Sequence, residues 1–244
     1  MSKHRFFVSP EQIGEEQVVL RGEQARQICY VLRMGAGDEI VVLDNLGWEY
    51  GVRLTAVSAQ QVSGDILEKR ETASEPAGHI TLYQSLMKRD KFEWVLQKGT
   101  EVGVSRFVPL VTQRSLVQDI DIKPSKMARW QKIITEAAEQ ARRGRIPELM
   151  LPMRWSEALA GLDADVALIP WEEVREPDLR QVLAGVRPSR LALFVGPEGG
   201  FAQEEVAAAV AHNVQPITLG PRILRAETAA IVTAALILYE VEEE

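Results

Sequence analysis

The stretch that decides the fold is LFVGPEGGF, residues 193–201. An apolar run, Leu193 to Val195, stops at Gly196-Pro197. A carboxylate, Glu198, two more glycines, Gly199 and Gly200, and Phe201 follow, and then a segment rich in Ala, Glu and Val. Two other apolar runs stop in the same way: VALIP at Pro170 and ITLGP at Pro221. Proline has no N–H to donate and cannot continue a central strand. The spacing predicts strands at 164–170, 190–197 and 214–221. The last two are followed by helices at Gln203 to His212 and Thr228 to Tyr239. Upstream, 80–87 and 106–112 read as strands. Lys91 to Val102 and Met127 to Ala141 read as helices, the first with Phe92, Val95, Leu96 and Gly99 near one face. Strands alternating with helices imply an α/β domain with a largely parallel sheet.

In such a sheet ligands sit at the carboxyl edge. Three loops meeting there make a pocket walled mainly by backbone, which the glycines at 196, 199, 200 and 220 open to close approach. The loops lack the GxxxxGK[ST] of a phosphate cradle and the GxGxxG of a dinucleotide fold. A carboxylate in the turn would repel a pyrophosphate. A phosphate-free nucleoside cofactor with a cationic centre suits Glu198 better, and S-adenosylmethionine is one. A tight strand-to-helix connection without a ligand stays open as the alternative. The second loop, LGPRILRAETAA (219–230), places Arg222, Arg225 and Glu227 around Ile223 and Leu224. Two arginines there are costly unless they bind something or pair with Glu227.

The first 70 residues read differently. Short strand-like pieces at Gln17 to Leu20, Glu39 to Leu43, Tyr50 to Ser58 and Gln61 to Leu67 alternate with turn signals. They suggest a small barrel or sandwich, interrupted by a short helix near Gly22 to Leu32. ETASEPAGH, Glu71 to His79, reads as the linker, giving domains at 1–72 and 79–244.

Composition excludes several chemistries. One cysteine, Cys29, permits no intrachain disulfide and no thiolate zinc site, and His4, His79 and His212 have no ligand-spaced neighbours. No metal is expected. No segment is apolar for the ~18 residues of a membrane helix, and MSKHRFFV at the start is not that of an export signal. A cytoplasmic, membrane-free protein is expected. The net charge is −7, yet residues 85–147 carry 13 basic and 7 acidic side chains. Local fields of this kind, not the total, steer a polyanion. A non-catalytic RNA-binding factor and a nucleotide-dependent oxidoreductase are the competing classes.

GPEGGF at 196–201 and LGPRILRAETA at 219–229, in this order, resemble the RsmE family of the SPOUT superfamily. HRFFV (4–8), VLRMGAGDEIVVLDN (31–45), KRDKFEWVLQKGTEVGVSRFVPLVTQRS (88–115) and ITEAAEQARRGRIPEL (134–149) extend the resemblance over most of the chain. It implies an S-adenosylmethionine-dependent methyltransferase acting on N3 of a uridine in 16S ribosomal RNA of the small ribosomal subunit. It also implies an N-terminal PUA-like β-barrel that binds RNA, a SPOUT domain with a deep trefoil knot, and a homodimer with the active site near the subunit interface. The cofactor would lie bent in the knot against three loops. Its positions would be Leu168, Ile169 and Pro170; Val195, Gly196, Glu198, Gly199 and Gly200; and Leu219, Gly220, Ile223, Leu224 and Ala229. Arg225 is the candidate for stabilising charge on the uracil carbonyls. Glu136 and Gln140, four apart on one helix face, are candidates for holding the base, with Glu136 as general base. Phosphates would be met by Arg5, Arg21, Arg26, Arg33, Lys88, Arg89, Arg142 and Arg143.

Overall fold

The structure is a computed structural model that describes residues 4–242, apart from the side chains of Arg89 and Glu242. The chain divides into two compact units. The first is residues 1–75 with 138–146, and the second is 76–137 with 147–244. The second unit is therefore not the single continuous span expected from residue 79 onward. Residues 138–146 group with the first unit instead.

The first unit holds β1 (Arg5–Phe7), β2 (Gln17–Arg21), β3 (Glu39–Leu43), β4 (Trp48–Val57) and β5 (Gln61–Glu71). They form one sheet in the order β1-β3-β4-β5-β2, antiparallel except for the β1–β3 pair. Alternation drives it. Val18, Leu20, Ile40, Val42, Val52, Leu54 and Val62 are buried on one face with Phe6 and Ile28. Register shifts at Gly51/Val52 and Leu54/Ala56 interrupt the β4–β5 ladder, and bulges of this kind bend and twist a strand pair. The short helix expected near residue 22 is α1 (Gly22–Arg26), which runs into a π-helical turn at Gln27–Val31.

The second unit is built on β6 (His79–Ser85), β7 (Arg106–Val111), β8 (Glu148–Leu149), β9 (Met153–Arg154), β10 (Val166–Pro170), β11 (Arg190–Val195) and β12 (Val214–Ile217). The order is β12-β10-β11-β6-β7-β8, with β9 also on β7, and every pairing is parallel. Parallel sheets are covered on both faces, which is why β7 and β11 are nearly continuous apolar runs after their first residue and why β6 is buried from Ile80 to Ser85 although it carries Thr81, Gln84 and Ser85.

The helices are α2 (Arg89–Val102), α3 (Pro124–Gln140), α4 (Trp155–Ala160), α5 (Leu179–Leu183), α6 (Gln203–Ala211) and α7 (Ala226–Glu242). The expected face of α2 is the buried one. Phe92, Val95 and Leu96 are core residues, and a Cβ on Gly99 would stand 2.8 Å from the Phe107 ring. Trp130 of α3 is a packing residue, with its ring 4.6 Å from that of Phe92. Among the described residues no helix is long and apolar enough to cross a membrane.

β12 ends at Ile217, four residues short of Pro221. Thr218 leaves the ladder to bridge Asp178, and Gly220 turns with φ +94°. Pro216 is tolerated inside β12 because that strand is the sheet's edge.

In the first unit Glu49 is a carboxylate that two arginines share. Arg5 and Arg70 both donate to it, and the Arg5 and Glu49 side chains are only 10% and 9% exposed. Burial pushes the Glu49 carboxyl up, but the hydrogen bonds from the two guanidinium groups outweigh it and hold the group below the ordinary carboxylate range. A depressed value contributes stability above the unfolded-state pKa, and that stability is lost as pH falls through the folded-state value. Glu49→Gln should therefore destabilise the protein near neutral pH, toward the lower end of the ~3–5 kcal/mol seen when one partner of a buried pair is removed. In urea unfolding the gap between variant and wild type should shrink as pH falls below about 4.

Candidate active site

β10 lies between β12 and β11, and all three run the same way. Their carboxyl ends are therefore neighbours on one edge of the sheet, and the loops that leave them enclose a cleft of about 510 Å³. Pro170, Trp171 and Glu172 form one wall, Val195 to Phe201 the second, and Thr218 to Gly220 with Arg222 to Ala226 and Ala229 the third; Lys91 of α2 closes it.

The quoted stretch forms the second wall for identifiable reasons. Phe201 is 3% exposed, its ring 5.1 Å from that of Trp155, in the cluster that also holds the stacked pair Tyr83–Phe194. This anchor crowds Gly196, where a Cβ would stand 3.1 Å from the Phe201 ring, a contact tight enough that the ring would have to yield. Gly200 donates its N–H to the Pro197 carbonyl at 3.0 Å, closing a turn that needs φ +67° at Gly200. Arg114 donates to the Gly199 carbonyl at 3.0 Å. Glu205 accepts from Ala202 N at 2.9 Å and from Gln113 N at 2.7 Å, tying the start of α6 to the segment after β7. Both ends of the turn are fixed, while Glu198 and Gly199 stay exposed.

The third wall is made of the chain between β12 and α7. Gly220 donates to Thr218 Oγ1 at 3.1 Å, and Ala229 donates to the Arg225 carbonyl at 2.8 Å in the first turn of α7. Glu227 lies in that turn, where the helix dipole favours an acid. It does not pair with Arg222 or Arg225. Lys91 Nζ stands 3.7 Å from Glu227 Oε2 and 3.3 Å from Glu198 Oε1. Arg222 and Arg225 are exposed on the cleft and have no ion-pair partner among the described residues. The cleft thus offers backbone groups at three turns, a carboxylate at Glu198, and two guanidinium groups free to meet a ligand.

Of the expected cofactor positions, Pro170, Val195, Gly196, Glu198, Gly199, Gly200, Leu219, Gly220, Ile223, Leu224 and Ala229 line this cleft, as does Arg225. Leu168 and Ile169 do not line it. They are fully buried strand residues of β10. Lys91, Trp171, Glu172 and Arg222 also line the cleft but were not among the expected ligand positions. One signal for Lys91 was readable, because a lysine in the first turn of a helix opposes the dipole and invites a reason.

Glu136 and Gln140 are exposed on α3 and line no part of the cleft; Glu136 makes a helix-face ion pair with Lys132 at 4.0 Å. Arg143 is not open to a phosphate. It is 3% exposed and donates to Glu75 at 2.8 Å. Arg5 is likewise committed to Glu49. Arg21 reaches Gln61 at 3.3 Å, while Arg26, Arg33, Lys88 and Arg142 are exposed, and the side chain of Arg89 lies outside the described residues. Among the described residues no group of three His, Cys, Asp or Glu side chains is placed to hold a metal ion.

The RNA methyltransferase domain family model matches residues 73–238. Ribosomal RNA small subunit methyltransferase E of Bacillus subtilis is 33% identical over 248 residues, covering 98% of this chain and 97% of the relative. The Synechocystis protein of the same name is 36% identical over 240 residues, covering 96% and 77%. The chain belongs to the ribosomal RNA small subunit methyltransferase E family. A solved member of that family, from Neisseria gonorrhoeae and bound to S-adenosyl methionine, superposes with a TM-score of 0.89 at 30% identity over 98% of both chains.

The geometry of the second wall makes a prediction about its two adjacent glycines. Gly200→Ala forces a side chain onto a left-handed backbone and should cost roughly 1–2 kcal/mol in urea unfolding. Gly199→Ala carries no such backbone penalty and should cost clearly less.

Proposed function

We propose that this protein transfers the methyl group of S-adenosylmethionine to N3 of a uridine in the RNA of the small ribosomal subunit. The observation that carries the reading is the cleft at the carboxyl edge of β12, β10 and β11, in a chain that aligns end to end with a relative solved with that cofactor. The donor set fits the cofactor. A volume of about 510 Å³ lies within the usual range of small-molecule sites. Glu198 can accept from ribose hydroxyls, the turns at 196–200 and 219–220 can meet an adenine edge, and the glycine turn carries a carboxylate where a phosphate cradle carries a lysine, which suits a cationic cofactor.

Bound there, S-adenosylmethionine supplies a methyl group on an already activated sulfonium leaving group. The chain's own residues then align the uracil N3, which is worth a large factor in rate. They also stabilise the charge that develops on the flanking carbonyl oxygens as the N3 proton leaves. Arg225, unpaired on the cleft wall, donates to those oxygens without surrendering its proton. The base must leave its stack to enter. Glu136 and Gln140 take part only where a second copy of the chain presents them. The exposed apolar residues Val232, Leu236 and Tyr239, at helical spacing on α7, support a homodimer that covers them. The reading further includes a trefoil-knotted path for the three loops and a PUA-like first domain that meets RNA through Arg26 and Arg33.

Mass-spectrometric mapping of ribosomal RNA from a strain lacking the protein tests this. A methyluridine absent there should return on complementation with wild type. Arg225→Ala should reduce the methylation rate by about 10²–10³-fold while calorimetry gives near-normal cofactor binding. Full methylation by Arg225→Ala would remove that residue from the mechanism. Arg26→Ala and Arg33→Ala should each lower the slope of log affinity against log salt by about one.

A further inference from the structure

One cation in the cleft has surroundings that the reaction outlined above does not use. Lys91 stands in the first turn of α2, where a positive charge opposes the helix dipole. It lies against two acids that belong to different walls: Glu198 of the glycine turn, 3.3 Å away, and Glu227 of the first turn of α7, 3.7 Å away. Both distances exceed the ~2.7–2.9 Å of a well-formed charge-assisted hydrogen bond. Among the described residues Glu227 Oε2 is moreover buried and without a hydrogen-bond partner. An ammonium midway between two carboxylates, one of which has an unfilled acceptor, is shared and not locked. Removing it would leave two like charges close together, no farther apart than those two distances combined, each disfavouring the other's ionised form.

We propose that Lys91 is the positioning residue of this site. Its ammonium holds Glu198 and Glu227 together across the cleft. When Glu198 turns to accept the ribose hydroxyls, the ammonium passes to the unfilled oxygen of Glu227. A lysine suits this role, being a compact charge with rotatable donors on a flexible stem, whereas an arginine fork is rigid. The inference rests on the assignment of Glu198 to the cofactor made above. Lys91 itself touches neither cofactor nor base.

Isothermal calorimetry with S-adenosylmethionine, on wild type, Lys91→Met, Lys91→Arg, Glu198→Gln and the Lys91→Met/Glu198→Gln double variant, tests it. Lys91→Met should bind about tenfold more weakly, the size expected when contacting groups are uncoupled. Lys91→Arg, which keeps the charge, should recover to within about threefold of wild type. The double variant should bind no more weakly than Glu198→Gln alone, because Lys91 acts through that carboxylate. In steady-state assays the Lys91→Met defect should fall on KM for the cofactor rather than on turnover at saturation. Wild-type affinity in Lys91→Met overturns the proposal. So does additive loss in the double variant, which would make Lys91 a direct contact, and so does a Lys91→Arg variant as weak as Lys91→Met. A wild-type protein that binds no cofactor at all would instead overturn the reading of the cleft itself.

Discussion

The site depends on the parallel pairing of β10 between β11 and β12. Ala167 faces Ala192 on one side and Val214 on the other, all in one direction. Parallel strands cannot be joined by hairpins, so each chain leaving this edge must travel away before it returns. Three consecutive strands thus end side by side, and three loops share one rim. If any of the three ran the other way, its loop would open on the far side of the sheet, and Glu198, Arg225 and Trp171 would not share a cleft.

Within that frame the glycines, the proline and the acid of LFVGPEGGF have separate reasons. Phe201 is buried against Trp155 and crowds the space beside Gly196, so a side chain at 196 would press on its ring. Pro197 is buried, and its carbonyl receives the Gly200 N–H in a turn that only a left-handed residue closes. Gly199 and Glu198 are left at the surface of a turn pinned at both ends, so the acid is displayed on rigid backbone. Lys91 faces that carboxylate at 3.3 Å. The stretch is thus a device for holding one charge still at the edge of a sheet.

Much of this was legible in the sequence because local signals and tertiary packing agree there. The apolar runs of β7, β10 and β11, the buried face of α2 and the glycine loop all follow from periodicity and proline. The loop residues of the cleft could be named because apolar runs that stop at or just before a proline in a parallel sheet have one edge to end on. Two kinds of feature could not be read. Short elements such as β8, β9 and α4 owe their existence to neighbours and carry too few residues for a period. The fates of individual cations were also hidden. Arg143 and Arg5 looked available, but Glu75 and Glu49, distant in sequence, hold them. Lys91 carried one local signal, its place in the first turn of a helix, but nothing in the sequence pointed to Glu198 and Glu227, more than a hundred residues away, as the acids it faces. Composition counts charges, whereas only the fold says which are already spent.

Glycine-opened turns at the carboxyl edge of the second unit's sheet line the cleft proposed to seat the methyl donor. A crystal structure of the protein soaked with S-adenosylmethionine tests that proposal most directly. The account predicts the adenosine against the turns at 196–200 and 219–224, with Glu198 at the ribose and the methyl group facing the Arg225 side of the cleft. Density for the cofactor elsewhere on the protein, or these turns packed shut against one another while it is bound, would contradict the account.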